Sequence, residues 1–218
     1  MRIAGIDTCA LAEFPDSLAT VIYFQGCDMD CLFCQNPKLI PERKTMKDDT
    51  VDNVFLKIMV KRVDWVVFSG GEPLAHHDFH ELVELAAWIR DNGVKLDLNT
   101  NGNFAGKEKI DNLYRISGLL NSITVDLKFL EGDWIDRLFD VLDRTKSIEK
   151  SRFRMVVYED SFKADTNAMY RLKQLGLKEI KLVPNSGHGR GEKLGHPTNK
   201  YMDEVKEYFT EWGIHARC

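Results

Sequence analysis

Six short runs rich in Val, Ile, Leu and Phe recur along the chain, at 19–25, 65–69, 95–99, 122–127, 153–158 and 179–183. Helix-like stripes lie between and after them. Val51, Val54, Phe55, Ile58 and Met59 form one; Phe79, Leu82, Leu85, Ala86 and Ile89 form a second, stopped by Asn92-Gly93. Later stripes run through Trp134, Leu138 and Leu142, through Met169, Leu172 and Leu175, and through Met202, Val205, Phe209 and Trp212. A short continuous apolar run suits a strand buried on both faces, whereas apolar residues three and four apart mark one face of a helix. The alternation predicts an α/β fold with a parallel sheet, and six right-handed units predict a partial, open (β/α)6 barrel. Trp134 and Trp212 read as core. Barrels of this kind carry their sites on the loops at the C-terminal ends of the strands.

The chain's 218 residues, 44% of them hydrophobic, suffice for one substantial core, and no Pro, Gly or Ser-rich linker divides them, so one domain over 1–218 is expected. A net charge of -4 lacks the basic excess of a protein that grips phosphates, which argues against a nucleic-acid partner. No apolar stretch approaches the roughly 20 residues of a membrane span. Met1-Arg-Ile-Ala-Gly also lacks the apolar centre of a signal peptide. The expected location is the cytoplasm, where thiols stay reduced.

Three of the five cysteines, Cys27, Cys31 and Cys34, have the spacing C-x-x-x-C-x-x-C directly behind the first apolar run. Thiolates select iron-sulfur clusters or zinc, and a four-iron cubane held by three of them keeps one iron open. An open position does chemistry. The same spacing also accommodates a zinc site completed by histidine, a redox pair, or unligated buried cysteines. Cys9 and Cys218 cannot complete a further four-cysteine cluster and read as a small apolar residue and a chain end.

The remaining candidates come from strand ends. The second run leads into Gly70-Gly71-Glu72-Pro73, where two glycines allow close backbone approach to a ligand. The third ends in Asn99-Thr100-Asn101-Gly102, by itself an ordinary turn. Asp126 and Lys128 at the end of the fourth share a face and suit a ligand carrying a carboxylate and a hydroxylated ribose. Arg154 interrupts an apolar run, and a buried arginine needs an anionic or hydrogen-bonding partner. His188 lies in the glycine-rich loop 186–191, either as a functional group or as a solvent-facing histidine on a mobile lid.

The cysteine spacing, with Phe33 before the third cysteine and Gly70 to Pro73 behind the next strand, resembles the radical S-adenosylmethionine enzymes. Gly5-Ile6, Leu11, Phe14-Pro15, Gln25-Gly26-Cys27, Asn36-Pro37, Thr100 to Gly102, Asp126-x-Lys128 and Arg154 further resemble the activating enzymes of glycyl radical enzymes, over about residues 3–195. That group includes pyruvate formate-lyase activating enzyme and the anaerobic ribonucleotide reductase activating proteins. The resemblance implies a 4Fe-4S cluster on Cys27, Cys31 and Cys34, with S-adenosylmethionine on the open iron. It implies a flavodoxin- or ferredoxin-type electron donor, and a 5'-deoxyadenosyl radical that takes hydrogen from a glycine of a partner glycyl radical enzyme, anaerobic ribonucleotide reductase first.

By the same resemblance Gly70, Gly71, Glu72 and Pro73 receive the amino end of the cofactor and Lys128 its carboxylate. Asp126 takes the ribose or a nearby monovalent cation, Arg154 faces the reaction chamber, and Phe33, Asn99, Thr100 and Asn101 complete the cofactor site. The family's histidine after the last strand is missing in register, and His188 is the residue available to replace it. Asn99 stands where that group has aspartate, so it can accept from an ammonium but brings no charge. Two other classes share some of these features. One is a radical enzyme acting on a small molecule, such as a 7-carboxy-7-deazaguanine synthase-like protein; the other is a non-enzymatic zinc or electron-transfer module.

Overall fold

The structure, a computed structural model, describes residues 1–11, 13–14, 17–41, 53–54, 63–128, 130, 132–159, 162 and 165–218. Eight strands follow one another in sequence order in a single sheet: β1 (Ile3–Ala10), β2 (Ala19–Phe24), β3 (Trp65–Gly70), β4 (Lys95–Thr100), β5 (Ser122–Asp126), β6 (Ser151–Val157), β7 (Glu179–Pro184) and β8 (His215–Arg217). β2 pairs parallel with β3 and β3 with β4, as do β6 with β7 and β7 with β8. The six expected runs are β2 to β7, each within two residues of its predicted ends, and the fold is α/β with a mostly parallel sheet.

Two strands exceed the expectation. β1 pairs antiparallel with β2, with register irregularities between Ile3 and Gly5 and between Asp7 and Ala10. Its residues are half-buried or exposed, so it has no apolar run to betray it. β8 has three residues and is too short to carry a pattern.

Five helices are described: α1 (Phe79–Asp91), α2 (Lys107–Ser117), α3 (Gly132–Arg144), α4 (Thr166–Gln174) and α5 (Asn199–Glu211). α1 buries Phe79, Leu82, Leu85, Ala86 and Ile89, the whole expected stripe. α3 to α5 lie on the other stripes, but Leu175 forms the C-cap of α4 and is exposed rather than core. Its position one residue past the helix takes it off the buried face. The stripe from Val51 to Met59 lies outside the described residues except for Val54. α2 was not expected, because its buried positions are Lys109, Asn112, Leu113 and Ile116, a helical spacing half filled by polar residues.

The chain divides into two compact units that interleave in sequence: 1–29, 38–100 and 106–123 form the first, and 30–37, 101–105 and 124–218 the second. In the first, Ile22, Phe24, Phe68, Leu96 and Leu98 are fully buried, as are Leu82, Leu85 and Ile89 of α1 and Leu113 and Ile116 of α2. Phe14 stacks on Trp65 with ring centroids 3.9 Å apart. In the second, Phe139 stacks on Phe153 at 5.3 Å, and Met169, Leu172, Leu182 and Phe209 are fully buried. No described helix is long and apolar enough to cross a membrane.

Candidate functional site

In the first unit, β2 delivers the chain into Gln25-Gly26-Cys27. The Gln25 side-chain amide donates to the Pro41 carbonyl at 3.0 Å, the Gly26 amide to Leu39 at 2.8 Å and the Cys27 amide to Ile40 at 3.2 Å. The entrance of the cysteine loop is therefore fixed through its backbone. Gly70 ends β3 with φ +112, a conformation that favours glycine, and the chain then turns back on β2. The Gly71 amide donates to the Phe24 carbonyl at 2.9 Å and the Glu72 amide to the Gly26 carbonyl at 2.7 Å. A Cβ at Gly70 would run into the Phe24 backbone, and one at Gly71 into the Gly26 carbonyl. The close approach these glycines permit is thus first of all backbone to backbone: it places the Gly-Gly-Glu-Pro turn against the residue preceding Cys27.

Glu72 is wholly buried and caps the short turn Pro73–Ala75. Its Oε1 accepts from the Leu74 amide at 3.1 Å and from the Thr100 hydroxyl at 2.9 Å. Lys109 reaches in from α2, with Nζ 3.8 Å from Glu72 Oε2 and 3.2 Å from Asp28 Oδ2. From the same helix face, Asn112 donates to the Leu74 carbonyl at 2.9 Å. Asn99, at the end of β4, donates to the Ser69 hydroxyl at 3.3 Å, while its buried Oδ1 has no hydrogen-bond partner among the described residues. An acceptor left this way is costly unless a ligand or water supplies a donor.

In the second unit the loop continues through Asp30-Cys31-Leu32-Phe33-Cys34-Gln35, tightened by the Cys34 amide donating to Cys31 at 3.2 Å. Cys27, Cys31 and Cys34 are half-buried. Burial pushes the Cys31 thiol pKa up, as do Cys34 and Asp126, and the Lys128 ammonium draws it back down. Lys128 stands 3.0 Å from Asp126 Oδ2 and 5.2 Å above the Phe33 ring. Arg154 pairs with Asp126 through Nε, and its second nitrogen is 3.4 Å from the other carboxylate oxygen. Burial raises the Asp126 pKa, but Arg154 and then Lys128 outweigh it and hold the carboxyl well below the ordinary carboxylate range. The partner that a buried arginine requires is therefore Asp126.

Asn99 and Thr100 close β4, and the chain turns after them: Asn101 Oδ1 accepts from the Asn103 amide at 2.9 Å, and Gly102 has φ +68. The loop after β7 is not a free lid. The Arg190 amide donates to the Cys34 carbonyl at 3.0 Å, its guanidinium pairs with Asp30, and Gln35 donates to the Ser186 hydroxyl at 3.1 Å. Gly189, at φ +63, lies so close to the Cys34 and Gln35 carbonyls that a Cβ would collide with them. His188 is exposed, its Nδ1 2.9 Å from the Ser186 carbonyl.

Among the described residues no three His, Cys, Asp or Glu side chains already form a metal cage. The donor chemistry nevertheless fits an iron-sulfur cluster: three reduced thiols on one loop whose entrance and exit are fixed by backbone bonds, ready to be gathered as the metal binds. Lys109, Asp28, Asp30 and Arg190 were missed by sequence reasoning. The signal for Lys109 was present as one cation at a helical spacing with Leu113 and Ile116.

Residues 21–189 match the family described as the Radical SAM superfamily. The chain belongs to that superfamily. Membership classes it as an enzyme and sets aside the zinc-module reading. It is 30% identical over 126 residues to a proposed glycyl-radical enzyme activating enzyme of Methanocaldococcus jannaschii, covering 58% of this chain and 50% of that one. A proposed glycyl-radical enzyme activating enzyme of Haemophilus influenzae is 31% identical over 200 residues, 86% of this chain and 62% of that one. Pyruvate formate-lyase-activating enzyme of Staphylococcus aureus is 29% identical over 143 residues, 61% of this chain and 55% of that one. This radical SAM chain thus spans between 50% and 62% of the length of these relatives. Streptococcus suis SuiB, solved with its precursor peptide SuiA, shares the fold at a TM-score of 0.62 and 16% identity, covering 91% of this chain and 48% of SuiB. SuiB bound to S-adenosylmethionine gives a TM-score of 0.59 at 15% identity, covering 90% of this chain and 50% of SuiB.

Proposed function

We propose that this radical SAM chain cleaves S-adenosylmethionine reductively at a 4Fe-4S cluster and takes a hydrogen atom from a glycine of a partner glycyl radical enzyme. The approach to the cluster favours anaerobic ribonucleotide reductase as that partner, with a flavodoxin- or ferredoxin-type protein as electron donor. One observation carries the reading: the bond from the Glu72 amide to the Gly26 carbonyl ties the Gly-Gly-Glu-Pro turn to the residue before the first cysteine. Two motifs far apart in sequence thereby become one site. The names of the relatives support the activase reading.

When bound and reduced, the cluster and S-adenosylmethionine supply the 5'-deoxyadenosyl radical. Cys27, Cys31 and Cys34 hold the cluster. The backbone of Gly70 to Pro73 faces the amino group, while the Glu72 side chain remains a buried cap bonded to Thr100 and Leu74. The unpartnered Asn99 Oδ1 is suited to accept a hydrogen bond from the cofactor, and Asn101 shapes the turn behind it. Lys128, beside Phe33, binds the carboxylate, and Arg154 keeps Asp126 ionised toward the ribose. Asp126 already faces two side-chain cations, so its electrostatics favour a hydroxyl over a monovalent cation. His188 lies at the exposed edge of the loop fastened to Cys34.

The test is anaerobic reconstitution with iron and sulfide, reduction with dithionite, and chromatography of 5'-deoxyadenosine with and without a glycine-loop peptide of a candidate reductase. The expected result is cleavage stimulated by the peptide and a glycyl radical signal on the intact partner. Cleavage indifferent to peptide and partner would move the substrate to a small molecule. A fully loaded cluster that leaves S-adenosylmethionine intact would overturn the proposal.

A further inference from the structure

The spacer between the first two cysteines, Asp28-Met29-Asp30, carries two carboxylates, and each meets a cation of its own unit. They are held unequally. The Asp30 side chain is 70% exposed and meets Arg190 at the surface. Asp28 is 29% exposed and meets Lys109, whose side chain is only 6% exposed. The same ammonium stands 3.8 Å from Oε2 of Glu72, which is wholly buried. Burying an ammonium this deeply is costly unless carboxylates face it, and Asp28 and Glu72 do. Asn112, from the same face of α2, fixes that helix to the Leu74 carbonyl just behind the Gly-Gly-Glu-Pro turn.

We infer that Lys109 is a positioning residue for the cysteine loop: its ammonium couples Asp28, next to the first cysteine, to Glu72 of the turn proposed to receive S-adenosylmethionine. The inference rests on the cluster reading above and adds a residue to it. The Gly26–Glu72 backbone bond fixes the loop before Cys27, and the Lys109 bridge fixes it immediately after. A ligand held on both sides samples fewer orientations, so less ordering remains when the metal binds and a bound metal is released more slowly. The Asp30–Arg190 pair is exposed, and an ion pair screened by water contributes little.

The test compares reconstituted wild type with Asp28→Asn, Asp30→Asn and Lys109→Met, reading the anaerobic rate of iron loss to excess chelator and the melting temperature. Asp28→Asn is expected to lose iron about tenfold faster, the equivalent of one charge-assisted hydrogen bond, with at most a small fall in melting temperature because Glu72 still faces the Lys109 ammonium. Asp30→Asn should stay near wild type. Lys109→Met should accelerate iron loss less in the Asp28→Asn background than in wild type, since the lysine reaches the loop through Asp28. If the lysine variant does not fold, the two aspartate variants decide. Equal lability of Asp28→Asn and Asp30→Asn would show a general charge effect and overturn the inference, as would wild-type iron retention in Asp28→Asn. A wild-type protein that takes up no iron would instead remove the cluster reading, and the inference with it.

Discussion

Each unit sets carboxylates against side-chain cations near the strand ends, and the innermost groups of the two clusters differ in how they meet water. Glu72 and Lys109 in the first unit are 0% and 6% exposed, while Asp126, Lys128 and Arg154 in the second are 17%, 12% and 25% exposed. The closed cluster is bonded into the turn it supports and fixes geometry. The open one keeps the Lys128 ammonium beside the Phe33 ring and 3.0 Å from Asp126, an arrangement a bound carboxylate can enter. Burial therefore separates a closed scaffold from a charge cluster open to solvent, built of similar residue types.

The largest effect should come from breaking the closed cluster. Lys109→Met leaves Glu72 buried without that ammonium, and the expected loss is about 3–5 kcal/mol by urea unfolding at neutral pH. Glu72→Gln in the same background should recover much of it. Lys128→Ala should cost about 1 kcal/mol or less, because Asp126 keeps Arg154. Equal losses at the two sites would erase the distinction drawn between them.

Acid sharpens the contrast further. Burial, with His77 in support, lowers His76 from 6.5 to about 4 in the folded first unit, where its Nε2 accepts from the Arg2 amide at 3.1 Å. On acidification the unfolded chain takes up this proton first, so the contribution of His76 is complete above pH 6.5 and lost as pH falls toward 4. Asp126 has its folded pKa depressed, so its contribution is complete above the ordinary carboxylate value and lost only as pH falls further, through that depressed value. Urea titrations should therefore show wild type losing roughly 2–3 kcal/mol between pH 6.5 and 4 that a His76→Gln variant does not lose. Asp126→Asn should flatten only the strongly acidic limb.

The same contrast explains what could be read in the sequence. β2 to β7 and the apolar faces of α1, α3, α4 and α5 announce themselves, because burial on one or both faces writes a period into the residues. β1 escapes because an irregular antiparallel strand of half-buried residues writes none. α2 escapes because Lys109 and Asn112 occupy two of its buried positions, and those polar residues are what connect it to the turn after β3. The motif residues of the open cluster, Asp126, Lys128 and Arg154, were visible as charges placed at or inside apolar runs. The anchors Asp28, Asp30 and Arg190 were not, since a carboxylate in a loop looks solvated until the chain brings a cation to it.

Lys128→Ala remains the variant with the least effect on the fold and a specific effect on the ligand. Its ammonium lies 3.0 Å from a carboxylate that Arg154 also holds, so removing it strands no buried charge. Its loss removes a charge that draws the Cys31 thiol down but leaves all three thiols in place, and iron content after reconstitution should equal wild type. The cofactor's carboxylate, by contrast, would lose a charge-assisted bond beside the cluster loop, and the S-adenosylmethionine concentration needed for half-maximal cleavage should rise about tenfold. Replacing Lys128 by Arg tests geometry against charge: a planar fork cannot reproduce a compact ammonium above the Phe33 ring, so recovery should be partial. An unchanged requirement in Lys128→Ala would make this lysine a structural partner of Asp126, and the open cluster would then be a second scaffold rather than a receptor.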